Sequence, residues 1–167
     1  MPLRRYTPAV RTRCAALEPP VNHVRNAHMT ASTQTVSVIQ TFFLAMALNP
    51  EIQVKAQEEI DRVIGTDRLP STADRDDLPF VQAITLETLR WHNVAPLGIP
   101  HRLIEDDMHE GYFLPKGTIV IANVWRMLHD PKTYPDPLAF NPERFVASPG
   151  HEPETDPRTM VFGFGRR

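Results

Sequence analysis

Leu86-Glu87-Thr88-Leu89-Arg90 lies inside a run from Pro79 to Trp91 whose apolar residues Val81, Ile84, Leu86 and Leu89 recur at helical spacing. On a helix, Glu87 and Arg90 are three positions apart, share one face and can pair. Left in solvent, such a pair contributes only roughly 0.2–1 kcal/mol. Buried, it needs further partners, because an uncompensated desolvated charge costs several times more. A second guanidinium is available at Arg144, in the proline-bounded stretch Asn141-Pro142-Glu143-Arg144-Phe145. Bidentate contacts among the three would tie that distant stretch to the helix.

Toward the N-terminus the pattern stays helical. From about Ala31, the residues Thr35, Ile39, Phe42 and Met46 form a stripe predicted to face a core. Asn49-Pro50 then closes one helix and opens the next, with Asn49 as N-cap and Pro50 at the first helical position. Residues 51–64 are predicted to be amphipathic, with Ile52, Ala56, Ile60 and Val63 inward and Lys55, Glu58, Glu59 and Arg62 outward. Gly65 supplies the positive-φ residue that ends it. Residues 1–30 differ, carrying Arg4, Arg5, Arg11, Arg13 and Arg25 against the single acid Glu18, with several prolines. Arginine-rich, acid-poor starts occur in organelle transit peptides. With no amphipathic helix visible, a disordered leader is the preferred reading, and Cys14 within it an incidental thiol.

After Asn93 the period changes. Pro96-Leu97-Gly98-Ile99-Pro100 is a rigid extended link that no helix crosses. Short strands are predicted over residues 101–104, 111–114 and 118–124, the last rich in β-branched side chains. Leu114-Pro115-Lys116-Gly117 fits a type I turn. The acids Glu105, Asp106, Asp107 and Glu110, with His109, read as a solvated hairpin tip rather than a cation site, because no ligand-loop glycine sits among the acids. Residues 130–160 should form an irregular, packed meander.

Composition sets the outer bounds. The 167 residues are 41% hydrophobic and 23% charged, ordinary for one globular domain. A net charge of −2 implies no nucleic-acid partner. A lone cysteine excludes an internal disulfide framework. No apolar stretch reaches the ~18 residues of a membrane span. Prolines, 17 in all, fall mostly in the second half and predict turns and extended chain there.

In order, Glu87-x-x-Arg90, His101 ahead of the Pro115-Lys116-Gly117 turn, Pro142-Glu143-Arg144-Phe145, and Phe162-Gly163-Phe164-Gly165-Arg166-Arg167 resemble the cytochrome P450 superfamily of heme-thiolate monooxygenases. The last run is similar to the start of that family's heme-binding loop, Phe-x-x-Gly-x-Arg-x-Cys-x-Gly, with Phe162, Gly165 and Arg167 at its first three fixed positions. The resemblance covers residues 31–167. It implies a mainly α fold with small β-sheets, part of a P450-like domain. It implies an ion triad of Glu87, Arg90 and Arg144 supporting the proximal side of a heme. His101 and Arg167 would contact the heme propionates, and Phe162 would pack beside the thiolate ligand. The cofactor implied is heme; the partners implied are a small apolar substrate and a reductase that supplies electrons. The endoplasmic reticulum membrane is the location the family suggests, although no anchor span is read here.

Two departures shape the expectation. Arg167 falls two positions before the ligand cysteine, so no catalytic residue and no metal ligand is assigned within these residues. In the first helix the family's Ala/Gly-Gly-x-Asp/Glu-Thr-Thr oxygen site aligns on Thr35-Val36-Ser37. Ala31 then takes the glycine position, Thr33 the acid and Gln34 the alcohol. Two readings stay open: a heme monooxygenase oxidising an apolar small molecule with O2, and a catalytically silent fragment that folds or binds a partner without heme. For these residues by themselves the second is preferred. Either way, apolar faces around Phe42, Phe43 and residues 120–124 should lie open to solvent.

Overall fold

The computed structural model describes the backbone of residues 14–16 and 24–164 and the side chains of residues 34–164. The leader expected over residues 1–30 lies outside these, except for strand β1 (Cys14–Ala16) and the opening turns of helix α1 (Val24–Leu48). That helix starts ahead of Ala31, where the apolar repeat first becomes visible. Helix α2 (Pro50–Ile64) follows at once, with proline at a position whose missing N–H costs nothing. Asn49 does not cap it as expected. Its Nδ2 turns back and donates to the Ala45 carbonyl at 2.8 Å, closing α1 instead. Gly65, at φ +78°, ends α2 and donates its N–H to the Asp61 carbonyl.

The inward face of α1 differs from the predicted stripe. Thr41, Ala45 and Met46 are buried, whereas Ile39 and Phe42 are exposed. From Val36 to Leu48 the helix is apolar on nearly every side, so periodicity cannot choose a face; the position of the neighbouring helix α3 (Pro79–Trp91) chooses it. Ala45 and Met46 pack there with Phe80, Ile84 and Phe140. Phe43, 66% exposed, and its neighbour Phe42 form the open apolar face that was expected; Val124, assigned to a second such face, is buried in a core of its own.

Glu59 also departs from the helical-wheel assignment. It is buried, and its two carboxylate oxygens accept the N–H groups of Phe80 at 3.0 Å and Val81 at 2.9 Å. These are amide donors that the first turn of α3 cannot satisfy within the helix. A carboxylate from α2 thus caps α3 and complements its dipole. Glu59→Ala is expected to cost about 1–3 kcal/mol through the two orphaned amides. Glu59→Gln, which keeps one acceptor oxygen, should cost less; urea midpoints of the three proteins check the order.

The second half is built from short pieces. Strand β2 (His101–Leu103) lies between β1 and β5 (Ile119–Val120) in an antiparallel sheet. Strands β3 (Asp107–His109) and β4 (Tyr112–Leu114) form a separate hairpin. Part of the acidic cluster is therefore a strand, and the tip is only Glu110-Gly111, both at positive φ. The next turn sits one residue later than predicted. Thr118 donates to the Pro115 carbonyl, and Gly117 takes φ +89° at the third position, where a type II turn needs glycine. The β-branched run also ends early, because Asn123 caps a short helix α4 (Val124–Leu128) by accepting from Arg126 N. Its residues Val124 and Leu128 pack with Tyr134 and Met160, the latter in the single turn α5 (Arg158–Val161). Between α4 and α5 the chain meanders irregularly, as expected, around a 3-10 turn at Pro142–Phe145. Among the described residues no single helix is long and apolar enough to cross a membrane.

Candidate functional site

Three charged side chains are almost wholly buried. Glu87 and Arg90 are 0% exposed and Arg144 3%. Arg90 donates from Nε to Glu87 Oε2 at 2.6 Å and from Nη2 to Oε1 at 2.8 Å, a fork on one turn of α3. Arg144 donates from Nε to Glu87 Oε1 at 3.2 Å, and the Asn141 amide reaches the same oxygen at 2.8 Å. The structure thus brings together the three residues singled out by spacing. It adds one that no sequence signal marked: Glu154, whose two oxygens accept from Arg144 Nη1 at 3.1 and 2.9 Å. Two carboxylates then face two guanidiniums, and the buried cluster carries no net charge. This balance is what makes its burial tolerable.

The guanidinium protons left over go to backbone. Arg90 reaches the carbonyls of Leu128, Pro137 and Ala139, and Arg144 those of Pro135 and Asp136. Among the described residues no buried side-chain donor or acceptor lacks a partner. Irregular chain ordinarily stays at the surface because its carbonyls need water. Here the two arginines take the place of water, and residues 135–139 can lie against α3. Tyr134 completes the packing under Arg90, whose guanidinium sits 5.5 Å from the ring centroid. Burial pushes the Tyr134 phenol well above its usual range, and its hydroxyl donates to the Thr155 carbonyl at 2.8 Å.

α1, the end of α3 and the chain after α5 line an open cleft of about 410 Å³. Its walls include Val38 and Ile39 of α1, Leu89 of α3, Val94 and Ala95 of the following link, and Phe162. Asn93, one of the few polar residues there, is turned back on its own loop: Nδ2 donates to the Ala95 carbonyl and Oδ1 accepts the Ala95 amide. The link is therefore shaped by an Asx turn and shows the cleft mainly hydrocarbon.

A family model described as Cytochrome P450 matches residues 22–167. The chain belongs to the cytochrome P450 family. It is 57% identical over 146 residues to cytochrome P450 monooxygenase 208 of Postia placenta, covering 87% of this chain and 28% of that protein. It is 53% identical over 132 residues to cytochrome P450 monooxygenase claR of Ampulloclitocybe clavipes, covering 79% and 25%. It is 50% identical over 139 residues to O-methylsterigmatocystin oxidoreductase of Aspergillus flavus, covering 83% and 26%. The chain spans about a quarter of the length of the curated relatives it matches.

The cofactor of the cytochrome P450 family is heme. The cleft walls suit a flat, largely apolar group: Val38, Ile39, Leu89, Val94, Ala95 and Phe162 present hydrocarbon, Gln34 and Thr35 of α1 add polar atoms, and the Asn93 amide is satisfied within its own loop. No described residue lining it is a cysteine or histidine. Cys14 has its backbone in β1, opposite Leu103. Of the residues assigned to heme contacts, Phe162 is 68% exposed and lines the cleft together with a groove on the other flank of α3. His101 opens β2, half-buried and opposite Val120, and is not among the lining residues. Arg167 lies outside the described residues. At the oxygen-site positions, Gln34 lines the cleft, whereas the side chain of Thr33 lies outside the described ones.

Proposed function

We propose that these residues form part of a heme monooxygenase that oxidises a small apolar molecule with O2 and electrons from a reductase. The observation that carries the reading is a largely apolar cleft walled in part by Leu89 of α3, the helix that the Glu87–Arg90–Arg144–Glu154 cluster ties to the meander. Heme, when bound, supplies the oxygen chemistry. The chain's own residues do the holding. Phe162, Leu89 and the Val94–Ala95 link would offer heme an apolar wall. His101 and Arg167 are assigned to the carboxylates of such a group, where charge-assisted hydrogen bonds would fix its orientation. Glu87, Arg90 and Arg144 act at one remove, keeping α3 and the meander in a single geometry. At Gln34 a carboxamide can donate and accept hydrogen bonds but does not titrate, so it positions a ligand without passing it a proton.

A second reading is favoured by one observation. The sole cysteine belongs to strand β1, paired with β2, and none of the described lining residues could bind iron as a thiolate. On that reading residues 1–167 by themselves fold, and bind partners, without heme chemistry. Hemin added to the 167-residue chain, reduced and exposed to carbon monoxide, separates the two. The expected result is no thiolate-type absorption band, because thiolate ligation needs a cysteine at the cleft. A thiolate-type band would overturn the second reading.

A further inference from the structure

Over residues 34–48, helix α1 buries one side and opens the other. Thr41, Ala45 and Met46 are buried and share one arc of the helical wheel, the arc that meets α3 and the core. Val36, Ile39, Gln40, Phe43, Leu44 and Ala47 fall on the opposite arc, and all six are exposed. Their steps of three and four residues are those of a seam that receives another helix. Phe43 is the largest of them, and the Phe42 ring braces it edge-on at 5.7 Å. A helix face left to solvent is ordinarily polar and charged, whereas the core of an interface is depleted of charge. Residues 31–49 hold no Asp, Glu, Lys, Arg or His.

We propose that this seam is a self-association surface, on which two copies of the chain pack α1 against α1 about a two-fold axis near Phe43. The chemistry suits an identical partner, because five of the six side chains are apolar and no like charges meet across the axis. The area is sufficient. Five apolar side chains, most of them about half exposed, present roughly 500 Å² per copy, so a pair buries on the order of 1,000 Å², the lower bound for a specific interface. A lipid surface is a poorer match, since helices that lie in a membrane interface carry Lys and Arg on their polar face. The two-fold makes the contact isologous, so association closes at two copies instead of growing. Gln40, close to the middle of the seam, is then the polar group that sets register at some cost in strength. Ile39 belongs to the cleft wall as well, so the second helix lies along one edge of the cleft mouth.

Sedimentation velocity of the 167-residue chain between about 1 and 200 µM should show a single monomer–dimer equilibrium, with Kd on the order of 10–100 µM for so small an interface. Phe43→Asp, at a position exposed enough to leave the circular dichroism unchanged, should weaken it about tenfold or more. Phe113→Asp alters the same residue type at similar exposure, 62% against 66%, but on the β3–β4 hairpin, and should leave the equilibrium as it is. Gln40→Arg and Gln40→Glu should each dimerise about tenfold more weakly, and an equimolar mixture of the two should recover, because opposite charges then meet across the axis. A monomer throughout the range overturns the proposal, as do open-ended aggregates. It is equally overturned if Phe113→Asp abolishes association while Phe43→Asp does not, or if the mixture fails to recover. Association that appears only with phospholipid vesicles would assign the face to lipid and overturn it too.

Discussion

Glu87→Ala should lower the stability of the chain by about 3–5 kcal/mol, a large part of the 5–15 kcal/mol typical of a domain. The carboxylate is the hub of the cluster: fully buried, it binds both arginines and the Asn141 amide. Its loss leaves two guanidiniums buried beside each other with only Glu154 to balance them. The thermal midpoint should fall by roughly 10 °C or more for a domain of this size. Glu87→Gln tests charge apart from shape, because the amide keeps one acceptor but cannot accept both forks. A cost under 1 kcal/mol for Glu87→Ala, by urea titration, would place the pair with ordinary exposed ion pairs and sink the account of the cluster.

Arg144→Ala comes second, at about 3 kcal/mol or more, and its damage should begin elsewhere. Arg144 alone joins Glu87 to Glu154, and it holds the carbonyls of Pro135 and Asp136. The meander should loosen before α3 does. Lys132 is exposed next to that segment, so trypsin should cut after it faster in the variant, at temperatures where the circular dichroism of the helices is unchanged. Arg144→Lys keeps the charge but loses the planar fork that serves four acceptors at once; it should fall between wild type and alanine. Cleavage no faster than wild type in both variants would mean the meander stands without the arginine.

What could be read in advance was what local chemistry dictates. The repeat over 79–91, Pro50 at a helix start and Gly65 at a helix end each follow from a property of one residue or one turn. The spacing of Glu87 and Arg90 and the proline-bounded Arg144 named three of the four members of the cluster. What escaped depends on a neighbour. Glu59 looks like a surface glutamate until α3 presents its free amides. Asn49 had two helix ends to serve and chose the earlier. The face of α1 was undecidable from a helix apolar all round, and Glu154, between Pro153 and Thr155, offers no pattern at all. α4 was hidden because Val124, the last residue of a β-branched run, is also the first of a helix capped by Asn123.

The cluster also bears on the order in which the molecule can assemble. The fork between Glu87 and Arg90 is local, three residues apart, and can form as soon as α3 does. The second guanidinium, Arg144, is 57 positions downstream of Glu87, and Glu154, which balances its charge, a further ten. A nascent chain emerging from the ribosome therefore exposes an incomplete charge arrangement on α3 while the meander is still being synthesised. Closing so long a loop is slow relative to helix formation, so the decisive late event of folding is the docking of an irregular segment rather than the growth of any regular one.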